Sequence, residues 1–284
     1  MLFRSLGTDA EKQVKEQNGD LEINSVTGTD GKLYGVPYTD NTWFMYYNKS
    51  KITEDEAKDF DTILSKAKVT FSLQNSWYIN GFYDGLSLFG EKGNDADAGM
   101  VFPKDGADVT SYLVDVVANP NFSNDDGASG LAAIKDGSAD VLFSGTWSAK
   151  DVKEALGDNY AATSLPTFTV NGQKKQMKSF AATKAAAYNP NAKNPKAAAQ
   201  FAAYLGSTEA QKLHYEMRAI PPTDKSLSDL TTDDVAAKAQ SDTMANTALL
   251  QSGLSGMNDW WTPAETFGKA LVNKEITKDR KSVV

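Results

Sequence analysis

The feature that most limits how this chain can fold is the repeated exchange of two hydrophobic periods along its length. Residues 43–47 (Trp-Phe-Met-Tyr-Tyr) form an unbroken apolar run, the pattern of a strand covered on both faces. Thr53 and Glu56 then stand at capping-box spacing, and Ala57, Phe60, Ile63, Leu64 and Ala67 recur at helical spacing. Residues 69–73 return to a short strand. Residues 77–89 read as a second apolar helix despite Gly81 and Gly85, and 109–117 as a third, closing at Asn119-Pro120. Residues 130–135, Asp136-Gly137 and 139–143 read as helix, turn and strand, followed by a helix over 149–156 that Gly157 stops.

Asn171-Gly172, set between 167–170 and 173–177, predicts a type I′ hairpin. Asn194-Pro195 opens a helix over 196–205, and Ser207 caps another that runs to about Met217. A long helix is expected over 233–250. Thr262-Pro263-Ala264-Glu265 reads as a capping box that opens a helix over 264–272. Near the start, 6–18 is helix-compatible, and Asp30-Gly31 is a hairpin signal ahead of a strand over 32–37. Strands alternating with helices in this way define an α/β class with a largely parallel sheet. At 284 residues the chain is long enough for about two domains.

Charge and residue usage remove most chemistries. Lys and Arg number 29 against 37 Asp and Glu, a net charge of −8 without blocks of like sign, which argues against a nucleic-acid or anionic-membrane surface. Zero cysteines exclude disulfides, thiolate catalysis and thiolate-bound metals. The single histidine, His214, leaves multi-histidine metal sites out and reads as a structural residue on a polar helix. The nearest approach to a nucleophile elbow, Gly85-Leu86-Ser87-Leu88-Phe89-Gly90, has its last glycine one residue late. The acidic loops 94–99 and 124–127 lack the later ligands of a calcium loop and read as solvated turns. No catalytic residue, metal or cofactor is therefore expected. A run of 18 apolar residues, the length of a membrane span, does not occur.

The five tryptophans stand out. Trp43, Trp77, Trp147, Trp260 and Trp261 each fall at an element junction, and four lie beside small polar residues: Asn41-Thr42, Asn75-Ser76, Ser144-Gly145-Thr146 and Asn258-Asp259. A flat ring next to amides and hydroxyls suits a sugar, whose C–H face stacks on the ring while its hydroxyls need several partners. Filling of core space is the competing role for any one of them. Asp40, Asp84, Asp259 and Glu265 also lie near aromatics, so a carbohydrate-active enzyme with a carboxylate pair is the alternative reading.

Several segments, in order, resemble the maltose-binding-protein-like solute-binding family of ABC sugar importers. Gly-Lys-Leu-Tyr-Gly-Val-Pro-Tyr at 31–38, running into Phe-Met-Tyr-Tyr-Asn-Lys at 44–49, is similar to that family's first interlobe crossing. Leu-Gln-Asn-Ser-Trp at 73–77 resembles a segment that bears a stacking aromatic. Asp136-Gly137-Ser138-Ala139-Asp140 through Ser144-Gly145-Thr146-Trp147 resembles the family's glycine–tryptophan signature. Leu165-Pro166-Thr167-Phe168 is similar to the stretch before the second crossing, near 180–184, and 193–211 resembles a characteristic helix pair, with Ile220-Pro221-Pro222-Thr223 beyond it.

The resemblance implies a two-lobed, type II periplasmic-binding-protein-like α/β fold. Residues 6–40 and 184–222 would form part of lobe I, and 44–180 with 225–278 lobe II. It implies sugar contacts from Asn41, Thr42 and Trp43 at the first crossing, from Asn75 and Trp77 on lobe II, from Trp147, and from Trp260 or Trp261. Family maltose receptors often carry glutamate where Asn41 and Asn75 stand. The implied role is an extracellular, lipid-anchored receptor, monomeric at full length, that binds malto-oligosaccharides by hinge closure and passes them to ABC permease subunits. The strings at 1–5 and 279–284 read as translated sequencing-adapter DNA, so that the family's opening strands and helices of lobe I are expected to be missing.

Overall fold

The computed structural model describes residues 5–28, 30–90 and 93–278. Residues 1–4 and 279–284, on which the expectation about the two terminal strings rests, lie outside the described residues. Backbone contacts divide the chain into a smaller unit, Met1–Asn41 with Ala181–Lys238, and a larger one, Thr42–Phe180 with Ala239–Val284.

In the larger unit the apolar run becomes the strand Phe44–Asn48, whose first four residues are all buried. It belongs to a five-stranded sheet in the order Phe122–Asn124, Val69–Phe71, Val141–Ser144, Phe44–Asn48, Tyr160–Thr163. Val69–Phe71 runs parallel to both its neighbours, whereas Phe44–Asn48 runs antiparallel to both of its own. The sheet is therefore mixed rather than largely parallel. A parallel neighbour needs a helical crossover, and Phe44–Asn48 instead enters directly from the chain's passage at Asn41–Thr42. One face carries an aromatic core. Phe71 packs edge-on against Phe143 (5.0 Å between centroids) and Phe82 (5.3 Å), and Trp43 stacks on Tyr78 at 5.0 Å.

Local signals act where their partners are near in sequence. Asn171 and Gly172 both take left-handed backbone (φ 51° and 77°) between the paired strands Thr167–Val170 and Gln173–Gln176, as a type I′ turn requires. Asn194 Oδ1 accepts from the Ala197 amide at 3.1 Å and Ser207 Oγ from Ala210 at 3.3 Å, capping Pro195–Leu205 and Thr208–Arg218. The Thr53–Glu56 box forms, with the Thr53 amide donating to Glu56 at 2.8 Å. It closes only a 3₁₀ turn, Glu56–Lys58, and the helix Phe60–Lys66 has Asp59 as its own cap.

Three expected helices differ. Residues 77–89 hold only the 3₁₀ turn Ile79–Phe82 and the short strand Ser87–Leu88, because Gly85 (φ 93°) and Phe89 (φ 62°) leave helical space. The helix expected to 250 is Val235–Asn246, followed by the strand Ala248–Leu250. Thr247 closes it on Thr243 O at 2.9 Å and turns its own carbonyl to the Ser179 amide at 3.1 Å. The last helix begins not at Ala264 but at Asn258 and runs to Val272 with Pro263 inside it. Its packing outweighs the ladder bond that Pro263 cannot make. Trp260 is 5% exposed with its indole donating to Ser76 O at 2.9 Å, and a Cβ on Gly268 would fall 2.4 Å from Leu73 O.

In the smaller unit Val36–Asn41 pairs antiparallel with Ser179–Ala186, matching Asp40 to Thr183 and Asn41 to Ala182, with an irregularity between Pro37 and Thr39. The strand starts later than the expected 32–37, since Leu33 makes only an isolated bridge to Thr27. Helices Thr8–Gln17 and Asp20–Ser25 cover a small core of Leu6, Val14, Leu33 and Val36. Residues 225–238, assigned from sequence to the second lobe, belong to this unit. Gln211 Oε1 accepts from the Thr223 and Asp224 amides (2.8 and 3.0 Å), Asp224 accepts from Gln17 at 2.9 Å, and Tyr215 donates to Asp234 at 2.9 Å.

Burial first, and the charge of Glu22 second, push the Asp40 carboxyl up to about 7, against the Thr183 hydroxyl that donates to it at 3.2 Å. The folded-state value lies above the unfolded one, so the protonated carboxyl stabilises this unit at acid pH. That contribution is lost as pH rises through about 7. Asp40→Asn, which mimics the protonated form, is expected to melt several degrees above the parent at pH 8 and level with it at pH 4.5. Thermal melts at the two pH values that show the same gap would overturn this account.

Candidate functional site

The larger unit presents two of the tryptophans together. Trp77 follows the strand Val69–Phe71 through a tight turn in which the Asn75 amide bonds Ser72 O (3.1 Å) and Tyr78 bonds Asn75 O (2.9 Å). Each polar group of Trp77 is fixed. Its amide donates to Asn75 Oδ1 at 2.8 Å, its indole to Gln251 Oε1 at 2.9 Å, and its carbonyl accepts from the Trp43 indole at 2.9 Å.

Trp147 is the middle residue of the turn Thr146–Ser148 just past the strand Val141–Ser144, at the carboxyl end of a sheet strand where ligands commonly sit in α/β folds. Trp147 is 42% exposed, and its ring folds over Gly145, where a Cβ would stand only 2.1 Å from Cζ3. The turn beneath is tied down by Tyr46 donating to Gly145 O (2.9 Å), by Thr146 donating to Gln240 (3.2 Å) and by Ser144 and Ser148 sharing a hydrogen bond (2.9 Å). The Trp77 and Trp147 rings lie 6.2 Å apart with their planes at 43°, forming an open, angled shelf with the exposed Asn75 at its edge.

The other candidates divide sharply. Trp43 is 0% exposed and stacked on Tyr78, so it is core and support rather than a ligand surface. Thr42 is buried too. Its hydroxyl donates to Phe180 O at 2.7 Å and shares a bond with Ser179 at 2.6 Å, and at 0% exposure it offers no surface to a ligand. Trp260 is a core residue of the last helix. Trp261, one position on, is half-buried with its ring edge-on to Phe180 at 5.9 Å. Asn41 ends a strand of the smaller unit, paired with Ala182. Polar neighbours in sequence mark all these residues alike and do not report which way a ring points. Gln251 carried no signal at all, because it falls just past the helix expected over 233–250.

The surroundings are electrically quiet. Tyr78 stays a neutral phenol, its pKa raised by burial and then by the charge of Asp125. The 124–127 loop is more than a solvated turn: Asp125 is buried and accepts from the Gly127 (2.9 Å) and Gly130 (2.8 Å) amides at the start of the helix Ser129–Asp136. Asp84 is paired with Lys178 at 2.9 Å, and Glu265 lies 3.7 Å from Lys269. His214 belongs to the smaller unit, 5.8 Å from the Tyr38 ring. Burial, Arg218 and Lys184 pull its pKa down, so it is neutral at pH 7. Among the described residues no group of three or more His, Asp or Glu side chains could hold a metal ion, and no helix is long and apolar enough to cross a membrane.

Two angled aromatic rings thus stand together beyond the carboxyl ends of sheet strands. Residues 7–245 match the family model of the bacterial extracellular solute-binding proteins, and the chain belongs to that family. It is 29% identical over 240 residues to a maltooligosaccharide ABC transporter solute-binding lipoprotein of Streptococcus pneumoniae, an alignment covering 75% of this chain and 55% of the relative. It is 27% identical over 283 residues to a galactooligosaccharide-binding protein of Bacillus subtilis, covering 90% and 65%. A structure solved with acarbose superposes with a TM-score of 0.94 at 41% identity, covering 99% of this chain and 75% of that one. The fold is thus α/β of the type II periplasmic-binding class. The chain spans about 55–65% of the length of these curated relatives.

Gly145→Ala is expected to cost about 1–3 kcal/mol, because the new methyl must displace the Trp147 ring. The same change in a Trp147→Ala background should cost less than half as much. Equal costs in this double-mutant cycle, read by denaturant melts, would show that ring and glycine are not coupled.

Proposed function

We propose that this chain is the sugar-binding receptor of an ABC importer, taking malto-oligosaccharides on the Trp77–Trp147 shelf and passing them to membrane permease subunits. The observation that carries the reading is that shelf: two rings 6.2 Å apart, Trp147 42% exposed and Trp77 held by its polar groups, flanked by neutral amides. Pyranose C–H faces stack on the rings, and amide groups meet the hydroxyls. Asn75 and Trp261 join the site. The relative named for maltooligosaccharides and the structure solved with acarbose support this ligand class. Sugar contacts on both lobes stabilise a closed form, and the difference in affinity drives closure. The working receptor is extracellular, lipid-anchored and monomeric, and it releases its ligand unchanged rather than cleaving it.

Isothermal titration with maltotriose tests the site. Trp147→Ala is expected to bind at least about ten-fold more weakly, the loss of one stacked ring, with little change in melting temperature. Trp43→Ala removes a buried ring and is expected to destabilise the fold by about 3–5 kcal/mol. A parent that binds no glucan, a Trp147→Ala variant that binds like the parent, or release of reducing ends during incubation would each overturn the reading.

A further inference from the structure

Two carboxamides grip Trp77, and both do so through oxygen. Asn75 Oδ1 accepts the backbone amide of Trp77 at 2.8 Å, and Gln251 Oε1 accepts its indole N–H at 2.9 Å. Because each oxygen faces an N–H, neither amide can rotate by half a turn without setting donor against donor. The orientation of both NH2 groups is thereby set. Asn75 Nδ2 and Gln251 Nε2 bond no protein atom among the described residues, and neither is among the buried atoms left without a partner.

Gln251 is also held from behind. It follows the strand Ala248–Leu250, and the next residue, Ser252, donates to Gly93 O at 2.5 Å while accepting from the Leu254 amide at 3.1 Å. Gly93 is pressed so close that a Cβ there would lie 3.2 Å from Ser252 Cα. The loop offers Gln251 from a fixed base to the edge of an aromatic shelf. A surface glutamine with no role would be neither anchored nor aligned in this way.

We propose that Gln251 is a binding residue of the Trp77–Trp147 shelf: its oxygen sets the angle of the Trp77 ring, and its Nε2 donates to an oxygen of the bound sugar. The inference rests on the sugar-receptor reading above. It adds a residue that supplies a hydrogen-bond donor and no charge, so that recognition at this edge favours neutral hydroxyl and ring oxygens.

Two substitutions separate the two roles. Gln251→Met keeps the length and loses both the acceptor and the donor. Gln251→Glu keeps the acceptor and loses the donor. The indole proton of Trp77, assigned in the NMR spectrum by its loss in Trp77→Phe, reports the first role, and titration with maltotriose reports the second. In Gln251→Met the indole resonance is expected to move upfield and the affinity to fall about ten-fold. In Gln251→Glu the resonance should stay downfield while the affinity still falls about three- to ten-fold. Melting temperatures should stay close to the parent's in both.

An unmoved indole resonance in Gln251→Met would overturn the positioning role, and parent-like affinity in Gln251→Glu would overturn the donor role. A parent protein that binds no sugar would instead overturn the receptor reading together with the donor role. The indole resonance would still decide whether Gln251 sets the ring.

Discussion

The hydrogen bond from the Trp43 indole to the Trp77 carbonyl joins the two halves of this structure's logic. Trp43 is 0% exposed, stacked on Tyr78 and edge-on to Phe71 and Phe143, so its ring cannot move without disturbing the core. Its one polar side-chain atom reaches out of that core and fixes the backbone of the half-buried Trp77. A Cβ on Gly81 would lie 2.8 Å from the Trp43 ring, so the chain passes as close to it as a glycine permits. Interior packing is in this way transmitted to the half-buried Trp77 without a flexible link between them.

The same economy governs the polar groups around the shelf. Trp77 has three, and each has a partner at 2.8 or 2.9 Å. Below Trp147, hydroxyls of Ser144, Thr146 and Ser148 are engaged with each other or with Gln240. A side chain already immobilised loses little further entropy when a ligand arrives, which is the physical value of preorganisation. The buried Asp125 is held by backbone amides at a helix start. A neutral glycan would thus meet rings and amides rather than a field.

Much of the fold was legible because its causes are local. The Asn171-Gly172 turn, the Asn194 and Ser207 caps and the doubly buried 44–47 run depend on residues a few positions apart. The failures arise where backbone conformation or packing overrides the hydrophobic period. The helix expected over 77–89 gave way to left-handed backbone at Gly85 and Phe89. The start expected at Ala264 moved back to Asn258 because burial of Trp260 outweighed the interruption at Pro263. Of the candidate site, Trp77, Trp147 and Asn75 share the shelf, while Trp43, Thr42 and Trp260 turned inward.

By itself, then, the sequence determined the α/β alternation, the positions of most caps and turns, and the set of tryptophans from which a site could be made. Hydrophobic period and turn chemistry act within a few residues and need no distant partner. Only the tertiary structure decided which rings were used as surface and what held them. Trp43 meets Trp77 across 34 positions, Trp77 meets Gln251 across 174, and Trp260 meets Ser76 across 184. A ring's exposure is a property of such pairs, and neither member of a pair carries it in its own neighbourhood.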